Sequence, residues 1–438
     1  MRLPFRSKRA SILIGLFFIF VLGFSTGAFT ALKGWLPELP WQKEEVQQSP
    51  HVAFLLETFD LIKTEYWQMT LDDQLANLFQ KSAEKVLGGT LDLETKDRAG
   101  LEKMLTQVLS EKTEEERNSL VPQIADVVLV NLQPLGRSRL LGKKQTEEIY
   151  NMVENKDPES DQLAALGVDE TADDSSVASA YEAKSTEVKS SAASPEEKAA
   201  EMAKLDRAFQ SLDTKSERER YITTGVETTI QPKKIGADVY YLQLQSFSAT
   251  TYEDLVQTFQ NTPPTSQQTS LILDLRNNPG GFIDGLPYVL GAFYGEDTLS
   301  HQMLKQGNKK DFKTKTPRIP QLGQFKKILI FVNEATGSSA EAMTASLKKY
   351  NVGLVVGVPT RGWGTVERVM PIKSTFDDQQ FSLLLVETLT LRDDGIPIEG
   401  SGIIPDIDVR SKTWKADLLG YFNQPSLVSA VDQLWKAQ

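Results

Sequence analysis

The change to alternating strand-like and helix-like segments after Val239 constrains the fold of this chain more than any other feature. Short apolar runs typical of strands lie at residues 239–244, 271–275, 327–332, 354–358 and 381–386. Helix-like segments at 251–259 and 338–350 separate several of them. Strands separated by helices favour a βαβ core that binds ligands at the carboxyl ends of its strands. We therefore expect the chemistry in the loops that follow these strands.

Composition excludes several kinds of site. The 438 residues include no cysteine and two histidines, His51 and His301, which excludes disulfides, thiol nucleophiles and histidine-rich metal centres. The net charge of −11 gives no basis for electrostatic binding of nucleic acid. Catalysis would therefore rest on serine, lysine, carboxylates or backbone groups, and we expect neither a metal nor another cofactor.

The N-terminus has the pattern of a membrane anchor. An uncharged run at 10–32 follows a basic cluster made of Arg2, Arg6, Lys8 and Arg9. As a helix the run would be roughly 34 Å long, enough to cross a bilayer core of about 30 Å. The basic cluster places residues 1–9 in the cytoplasm and the bulk of the chain outside it. We expect an uncleaved signal anchor, and a signal peptide cleaved near 26–31 is the alternative.

The segments after the anchor differ in character. Residues 33–50 are predicted to be a linker, and apolar residues at three- and four-residue steps predict a helical region over 51–155. Residues 157–222 are acidic and rich in alanine and serine, yet they keep periodic apolar positions. A helical hairpin is the generic interpretation of this last segment.

The segment 157–222 also resembles the J-domain, a helical co-chaperone module. The resemblance rests on Leu-Gly-Val at 166–168, Ala-Tyr at 180–181 and Ala-Phe with a later leucine at 208–212. The family's His-Pro-Asp tripeptide would fall at 188–194, where this chain has Val-Lys-Ser-Ser-Ala-Ala-Ser. We therefore interpret the segment as a J-like spacer or docking module, and we do not expect a heat-shock chaperone as its partner.

The loop after the strand at 271–275 ends in Asn-Asn-Pro-Gly-Gly. Pro279 cannot continue a strand ladder, and Gly280 and Gly281 permit positive φ, so backbone amides can turn toward a ligand. Such a group of N–H donors can hold a developing oxyanion. A tight strand-to-helix turn is the alternative interpretation of this loop alone.

Two further loops carry candidate residues. Ser338 stands at the start of a predicted helix, with Glu341 three residues later. This pattern fits a capping box, and it also fits a nucleophilic serine at a helix N-terminus. The glycine-rich segment 357–367 is either a plain turn or a binding loop.

Together with Gly-Ile-Ile-Pro-Asp-Ile at 402–407, these loops resemble in their order the motifs of the C-terminal processing (tail-specific) serine proteases. The resemblance implies a ClpP/crotonase-like α/β protease core at 230–415, a helical tail at 416–438, a polypeptide substrate and a bacterial-envelope location. It implies Ser338 as the nucleophile. The oxyanion donors would be Gly280, Gly281 and Ser339, and the candidates for a substrate groove are Asn333, Gly337, Gly362 and Gly364.

The chain departs from this family at the general base. The family's Phe-Gly-Lys-Gly-Thr-Val-Gln corresponds to Arg-Gly-Trp-Gly-Thr-Val-Glu at 361–367. Trp363 therefore replaces the lysine base, and Glu367 replaces the glutamine that supports it. A serine hydroxyl needs an adjacent group to take its proton, but an indole N–H can only donate and Arg361 stays protonated. No PDZ domain is recognisable before the core.

Two functions follow from these observations. The first is a membrane-tethered homologue that binds polypeptide C-terminal segments with impaired hydrolysis. The second is an active serine endopeptidase in which Ser338 uses a non-standard base. Glu367 is the best candidate for that base and Glu341 is another, whereas Lys348 and Lys349 lie about three turns along the same predicted helix, out of reach. The oligomeric state is not predicted.

Overall fold

The computed structural model describes residues 49–235, 237–392 and 394–436. The predicted basic tail and anchor, and all of the predicted linker except residues 49 and 50, lie outside these ranges. Within them, none of the helices combines the length and the apolar composition that a membrane span needs. The membrane anchor therefore stays a prediction.

Four helices, a short strand and a fifth helix begin the described part of the chain. Their bounds are α1 Pro50–Glu65, α2 Asp72–Leu87, α3 Arg98–Ser110, α4 Glu114–Val130, β1 Arg139–Gly142 and α5 Lys143–Glu154. Asp97 caps α3 by accepting from the Gly100 N–H, and Thr113 and Glu116 form a capping box at α4. Strand β1 differs from the prediction of helix over 51–155, because pairing with a later strand holds this segment extended.

The segment predicted to be J-like is helical. It contains α6 Gln162–Leu166, α7 Asp174–Ser190, α8 Pro195–Leu212 and α9 Lys215–Thr224. Helices α7 and α8 pack against each other, and Ser194 and Glu197 form a capping box at the start of α8. A small core of its own holds the segment together: Leu166, Val177, Leu205, Ala208 and Leu212. This arrangement fits the helical hairpin and does not test the J-domain resemblance, which stays an interpretation.

The remaining chain alternates strands and helices. In order, they are β2 Ile230–Ile235, β3 Val239–Leu244, α10 Thr251–Asn261, β4 Ser270–Asp274, α11 Leu286–Tyr294, β5 Leu299–Lys305, β6 Asn308–Lys313, β7 Lys327–Val332, α12 Ser339–Lys349, β8 Leu354–Gly357, β9 Thr365–Pro371, β10 Phe381–Leu391, β11 Ile407–Asp408, α13 Trp414–Phe422 and α14 Pro425–Lys436. Short 3-10 turns precede α11 and β7. The prediction of an α/β core is confirmed, whereas the region before it, predicted to be all-α, also contains the strand β1.

Six of these strands form one sheet in the order β11-β8-β7-β4-β3-β2. All neighbours are parallel except β2 and β3. The central strands are apolar on both faces because α10, α11 and α12 cover one face while α13 and α14 cover the other. The carboxyl ends of β4, β7 and β8 lie at one edge, so the three predicted loops meet there.

A second sheet is antiparallel, with the order β1-β10-β5-β6, and β9 also pairs with β10. The N-terminal helices pack on this sheet. Phe54, Phe59 and Phe79 share one buried core with Leu383 and Leu385 of β10. The predicted helical region and the predicted protease core are therefore joined through a common core, and the helical region extends to the edge where the three loops meet.

Candidate active site

Ser338 stands immediately before α12 in a strained conformation. Its φ is 51° and its ψ is −122°, a region that residues other than glycine rarely adopt. Its N–H lies 2.9 Å from Oε2 of Glu341 and 3.1 Å from the carbonyl oxygen of Trp363. Within the described residues its half-buried side chain makes no capping hydrogen bond. Only the glutamate half of the predicted capping box is formed, so the hydroxyl is free for another role.

The carboxylate of Glu341 joins the serine loop to the glycine-rich loop. Oε2 accepts from the N–H groups of Ser338 and Trp363 at 2.9 and 2.8 Å, and Oε1 accepts from the Gly362 N–H at 2.7 Å and the Thr360 hydroxyl at 2.5 Å. Burial raises the pKa of the Glu341 carboxyl, and these hydrogen bonds oppose the rise. A carboxylate has about four acceptor positions, and all are used. Glu341 therefore positions the two loops and is not placed to act as a base.

The Pro-Gly-Gly loop lies directly against the serine. Gly280 has φ 101° and Gly281 has φ 128°. A Cβ at Gly280 would lie 2.5 Å from Cβ of Ser338, and one at Gly281 would lie 2.1 Å from the carbonyl oxygen of Phe247. The Ser339 hydroxyl donates to the carbonyl oxygen of Gly281 at 2.9 Å. Only glycine fits these two positions, so the contact between the loops depends on both.

Two backbone N–H groups beside Ser338 are free to meet a ligand. The Gly280 N–H donates to Oδ1 of Asn278 at 2.8 Å. The Phe247 N–H donates to the Gly280 carbonyl, and the Phe282 N–H donates to the Phe247 carbonyl, at 2.8 Å each. Among the described residues, the Gly281 N–H has no hydrogen-bond partner. Within the described ranges, the N–H of Ser339, the first residue of α12, also has no hydrogen-bond partner. Of the three predicted oxyanion donors, Gly281 and Ser339 are therefore the ones available.

Trp363 and Glu367 are the residues predicted to replace the base and its support. The indole Nε1–H of Trp363 donates to Oε1 of Glu367 at 3.1 Å, and the Thr365 hydroxyl donates to the same oxygen at 2.6 Å. Burial raises the pKa of the Glu367 carboxyl, and these two hydrogen bonds and the charge of Arg137 oppose the rise. Among the described residues, Ser338 and Glu367 share no hydrogen bond. The carboxylate is thus directed to the indole.

Two arginines contact the indole of Trp363. The guanidinium carbon of Arg137 lies 3.6 Å from the ring centroid and that of Arg361 lies 4.4 Å from it. Arg137 also pairs with Glu399 at 3.1 Å, and the other oxygen of Glu399 accepts from the Gly364 N–H at 2.8 Å. Sequence reasoning missed Arg137 and Glu399, because 262 positions separate them and no local motif links them.

Two lysines and two histidines are the remaining candidates for the proton acceptor. Lys348 and Lys349 lie in the last turn of α12, and the Lys348 ammonium forms an ion pair at 2.6 Å. His51 and His301 are buried and hydrogen-bond to other side chains at 2.7 and 2.9 Å. In the described ranges, none of these four residues bonds to Ser338. No cluster of three or more acidic or histidine side chains there could hold a metal ion.

The residues predicted to line a groove hold the loops together. The Asn333 side chain bonds to Asn277 at 2.9 and 2.8 Å, and the Gly337 N–H donates to the Asn278 carbonyl at 2.9 Å. A Cβ at Gly364 would lie 2.1 Å from the backbone nitrogen of Glu399, and Gly362 has φ 74°. Their part in a substrate groove stays a prediction.

Known proteins match the C-terminal half of the chain. The sequence profile of Peptidase family S41 matches residues 238–409. A carboxy-terminal-processing protease of Bartonella bacilliformis is 29% identical over 180 residues, which cover 40% of this chain and 40% of that protein. A probable CtpA-like serine protease of Staphylococcus epidermidis is 32% identical over 146 residues, which cover 33% of this chain and 28% of that protein.

One solved structure similar to this chain is the photosystem II D1 C-terminal processing protease. It has a TM-score of 0.46 and 14% identity, and the match covers 82% of this chain and 93% of that one. The matched region spans less than half the length of the two curated relatives.

Proposed function

Because residues 238–409 form a Peptidase family S41 domain, we propose that this protein binds polypeptide C-terminal segments at the Ser338 site with impaired hydrolysis. The family implies a polypeptide ligand. The observation that carries the proposal is the hydrogen bond from the Trp363 indole to Glu367. The indole is a proton donor, and the resemblance implies a base at position 363 that would take the proton from the serine.

The rest of the site is suited to holding a peptide carbonyl or carboxyl group. Ser338 keeps a free hydroxyl, and the N–H groups of Gly281 and Ser339 are available beside it. Removing the base of such a site costs several powers of ten in rate, whereas binding can survive. Loss of turnover with retained binding is therefore consistent with a site that has Ser338 and both glycines but has Trp363 in place of a lysine.

We also propose that the protein is tethered to a membrane. The basic cluster before residue 10 and the uncharged run at 10–32 support a single-pass anchor with its N-terminus in the cytoplasm. The helical and J-like segments would then lie outside the cytoplasm with the peptidase-like domain, in the bacterial envelope. In that position they could recruit a partner protein, and a heat-shock chaperone is not expected there.

An active endopeptidase with Glu367 as its base is the second candidate. Burial raises the pKa of the Glu367 carboxyl, and a raised pKa makes a carboxylate a more effective general base. Against this, Oε1 of Glu367 already accepts from Trp363 and Thr365. Among the described residues, neither carboxylate oxygen of Glu367 bonds to Ser338.

The test compares purified full-length wild type in mild detergent with the Ser338→Ala variant. Each is incubated with unfolded polypeptides that have apolar C-termini. Binding is followed by fluorescence anisotropy and cleavage by mass spectrometry. We expect binding by both proteins and no fragments that require Ser338. Fragments produced only by wild type would support the second candidate instead.

A further inference from the structure

The hairpin made of β5 and β6, with the loop after it, carries a concentrated positive charge. Residues 305–318 contain six lysine or arginine side chains and one acid, Asp311, in a chain whose net charge is −11. Lys305 forms ion pairs with Glu65 and Glu387. In the part of the chain that the structure describes, the other five cations are exposed and have no ion-pair partner: Lys309, Lys310, Lys313, Lys315 and Arg318. This surface therefore suits a partner that carries negative charge.

Strand β6 is also an open edge of the antiparallel sheet. It is the last strand in the order β1-β10-β5-β6, and it pairs with β5 on one side. Among the described residues, no backbone group of Asn308–Lys313 bonds to a segment other than β5. Alternate residues of an antiparallel edge strand direct their N–H and C=O groups outward, where a further extended chain can pair with them. The edge therefore offers backbone hydrogen bonds in addition to charge.

A cleft of about 460 Å³ lies along one face of the hairpin. Lys310 and Phe312 of β6 line it, and the Lys310 ammonium lies 4.9 Å from the centroid of the Phe312 ring. The two acids that also line the cleft, Asp284 and Glu387, already pair with Arg368 at 2.9 and 3.0 Å. Lys310 is therefore left to pair with an acidic side chain of a ligand.

The lysines disfavour a second copy of this chain as the occupant of the edge. Two β6 edges in contact would bring like charges together, and lysine on an edge strand is a common means of preventing such pairing. A bilayer or another anionic surface would use the charges and leave the backbone groups unpaired. An extended acidic segment of a polypeptide uses both.

We propose that β6 binds an acidic, extended segment of a partner polypeptide as an additional strand of the antiparallel sheet. The backbone of the segment pairs with the outer edge of β6, and its carboxylates lie against Lys309, Lys310 and Lys313. At about 3.3 Å per residue, the six residues of β6 accept a segment about 20 Å long. This inference goes beyond the proposed function, because the edge includes none of the loops that surround Ser338.

The test uses full-length protein in mild detergent and three labelled peptides of equal length. The first contains the segment Glu-Thr-Glu-Thr-Glu-Thr, and the second has glutamine in place of each glutamate. The third is the first peptide with every backbone nitrogen of the segment methylated, which removes the N–H donors that a strand needs. Binding is followed by fluorescence anisotropy at low ionic strength, because salt screens exposed charges. We expect the first peptide to bind at least about fivefold more tightly than either of the others, equivalent to about 1 kcal/mol.

Lys310→Gln/Lys313→Gln supplies the matched variant. It should weaken binding of the glutamate peptide about fivefold and leave the glutamine peptide unchanged. The control is Lys189→Gln/Lys412→Gln, which removes two exposed lysines outside the hairpin that also lack an ion-pair partner among the described residues. The control should change neither affinity.

Two kinds of result would overturn the inference. Equal affinity for the glutamate and glutamine peptides, or equal weakening of the glutamate peptide by both protein variants, would show that the hairpin is not an acidic-peptide site. Binding of the methylated peptide as tightly as the first would show attraction by charge alone, as to an anionic surface, and would exclude pairing with the edge.

Discussion

The indole N–H of Trp363 donates a hydrogen bond of 3.1 Å to Oε1 of Glu367. In the family that the motifs resemble, a lysine and a supporting glutamine hold these two positions. On that resemblance, Trp363 and Glu367 form a matched pair, because a neutral donor meets a carboxylate. The proposed function therefore predicts that a lysine introduced at position 363 alone does not restore the pair that the resemblance implies.

The first prediction follows from this matching. In Trp363→Lys, the Glu367 carboxylate would stabilise the ammonium form of the new lysine and keep its pKa high. In Trp363→Lys/Glu367→Gln that charge is absent and the lysine can act as a base. We expect Ser338-dependent cleavage of unfolded polypeptide by the double variant, at least about tenfold faster than by Trp363→Lys alone, since one pKa unit is about 1.4 kcal/mol. Mass spectrometry of the products measures both rates.

The control for this prediction adds Ser338→Ala to the double variant, which should abolish the gained cleavage. If Trp363→Lys alone were as active as the double variant, the inferred coupling between positions 363 and 367 would be wrong.

The second prediction concerns Glu341. In Glu341→Gln an amide NH₂ replaces one oxygen and faces two of the four donors that the carboxylate now satisfies. Each buried donor without a partner costs about 1–3 kcal/mol. We expect the free energy of unfolding, measured with urea, to fall by about 2–6 kcal/mol. Glu334→Gln is the control in the same loop, where the side chain is exposed and the change should be within about 0.5 kcal/mol. Similar losses in both variants would contradict the role given to Glu341.

The third prediction concerns the contact between Arg137 and Trp363. A double-mutant cycle with Arg137→Ala and Trp363→Ala, measured by urea unfolding, should give a coupling free energy of about 0.5–2 kcal/mol. The same cycle with Trp414→Ala in place of Trp363→Ala should be additive within about 0.5 kcal/mol, because α13 lies on the other face of the parallel sheet. Additivity in both cycles would show that the contact between Arg137 and Trp363 contributes nothing to the free energy of unfolding.

The fourth prediction concerns pH. Burial and the neighbouring Glu217 raise the pKa of Asp213 from 3.8 to about 9. Between these two pKa values the folded state holds a proton that the unfolded chain has released. The contribution of Asp213 to the free energy of unfolding is therefore complete below pH 3.8 and is lost as the pH rises toward about 9. In Asp213→Asn the melting temperature should fall less between about pH 5 and about pH 8 than in wild type. Asp92→Asn, at an exposed position, should behave as wild type. The same dependence of melting temperature on pH in all three proteins would contradict the raised pKa of Asp213.

Much of the core could be predicted from local patterns. The apolar runs at 239–244 and 327–332 predicted buried strands because both faces of the parallel sheet are covered by helices. The spacing of Ser338 and Glu341 predicted a helix start, and the three loops do meet at one edge of the sheet. These features follow from residues close together in the chain.

Other features depend on contacts between distant segments, and local patterns do not encode them. Strand β1 is extended because β10 pairs with it. Arg137 reaches Trp363 because the helical region packs on the antiparallel sheet. The Gly280 N–H donates to the side chain of Asn278, a contact that depends on the folded shape of the loop.

The most direct test of impaired hydrolysis is whether wild type makes any product that needs Ser338. Full-length wild type and Ser338→Ala are incubated for the same time with one unfolded polypeptide that both bind, and all fragments are identified by mass spectrometry. Impaired hydrolysis predicts identical fragment lists, because among the described residues no proton acceptor bonds to the Ser338 hydroxyl. Fragments present with wild type and absent with Ser338→Ala would contradict it.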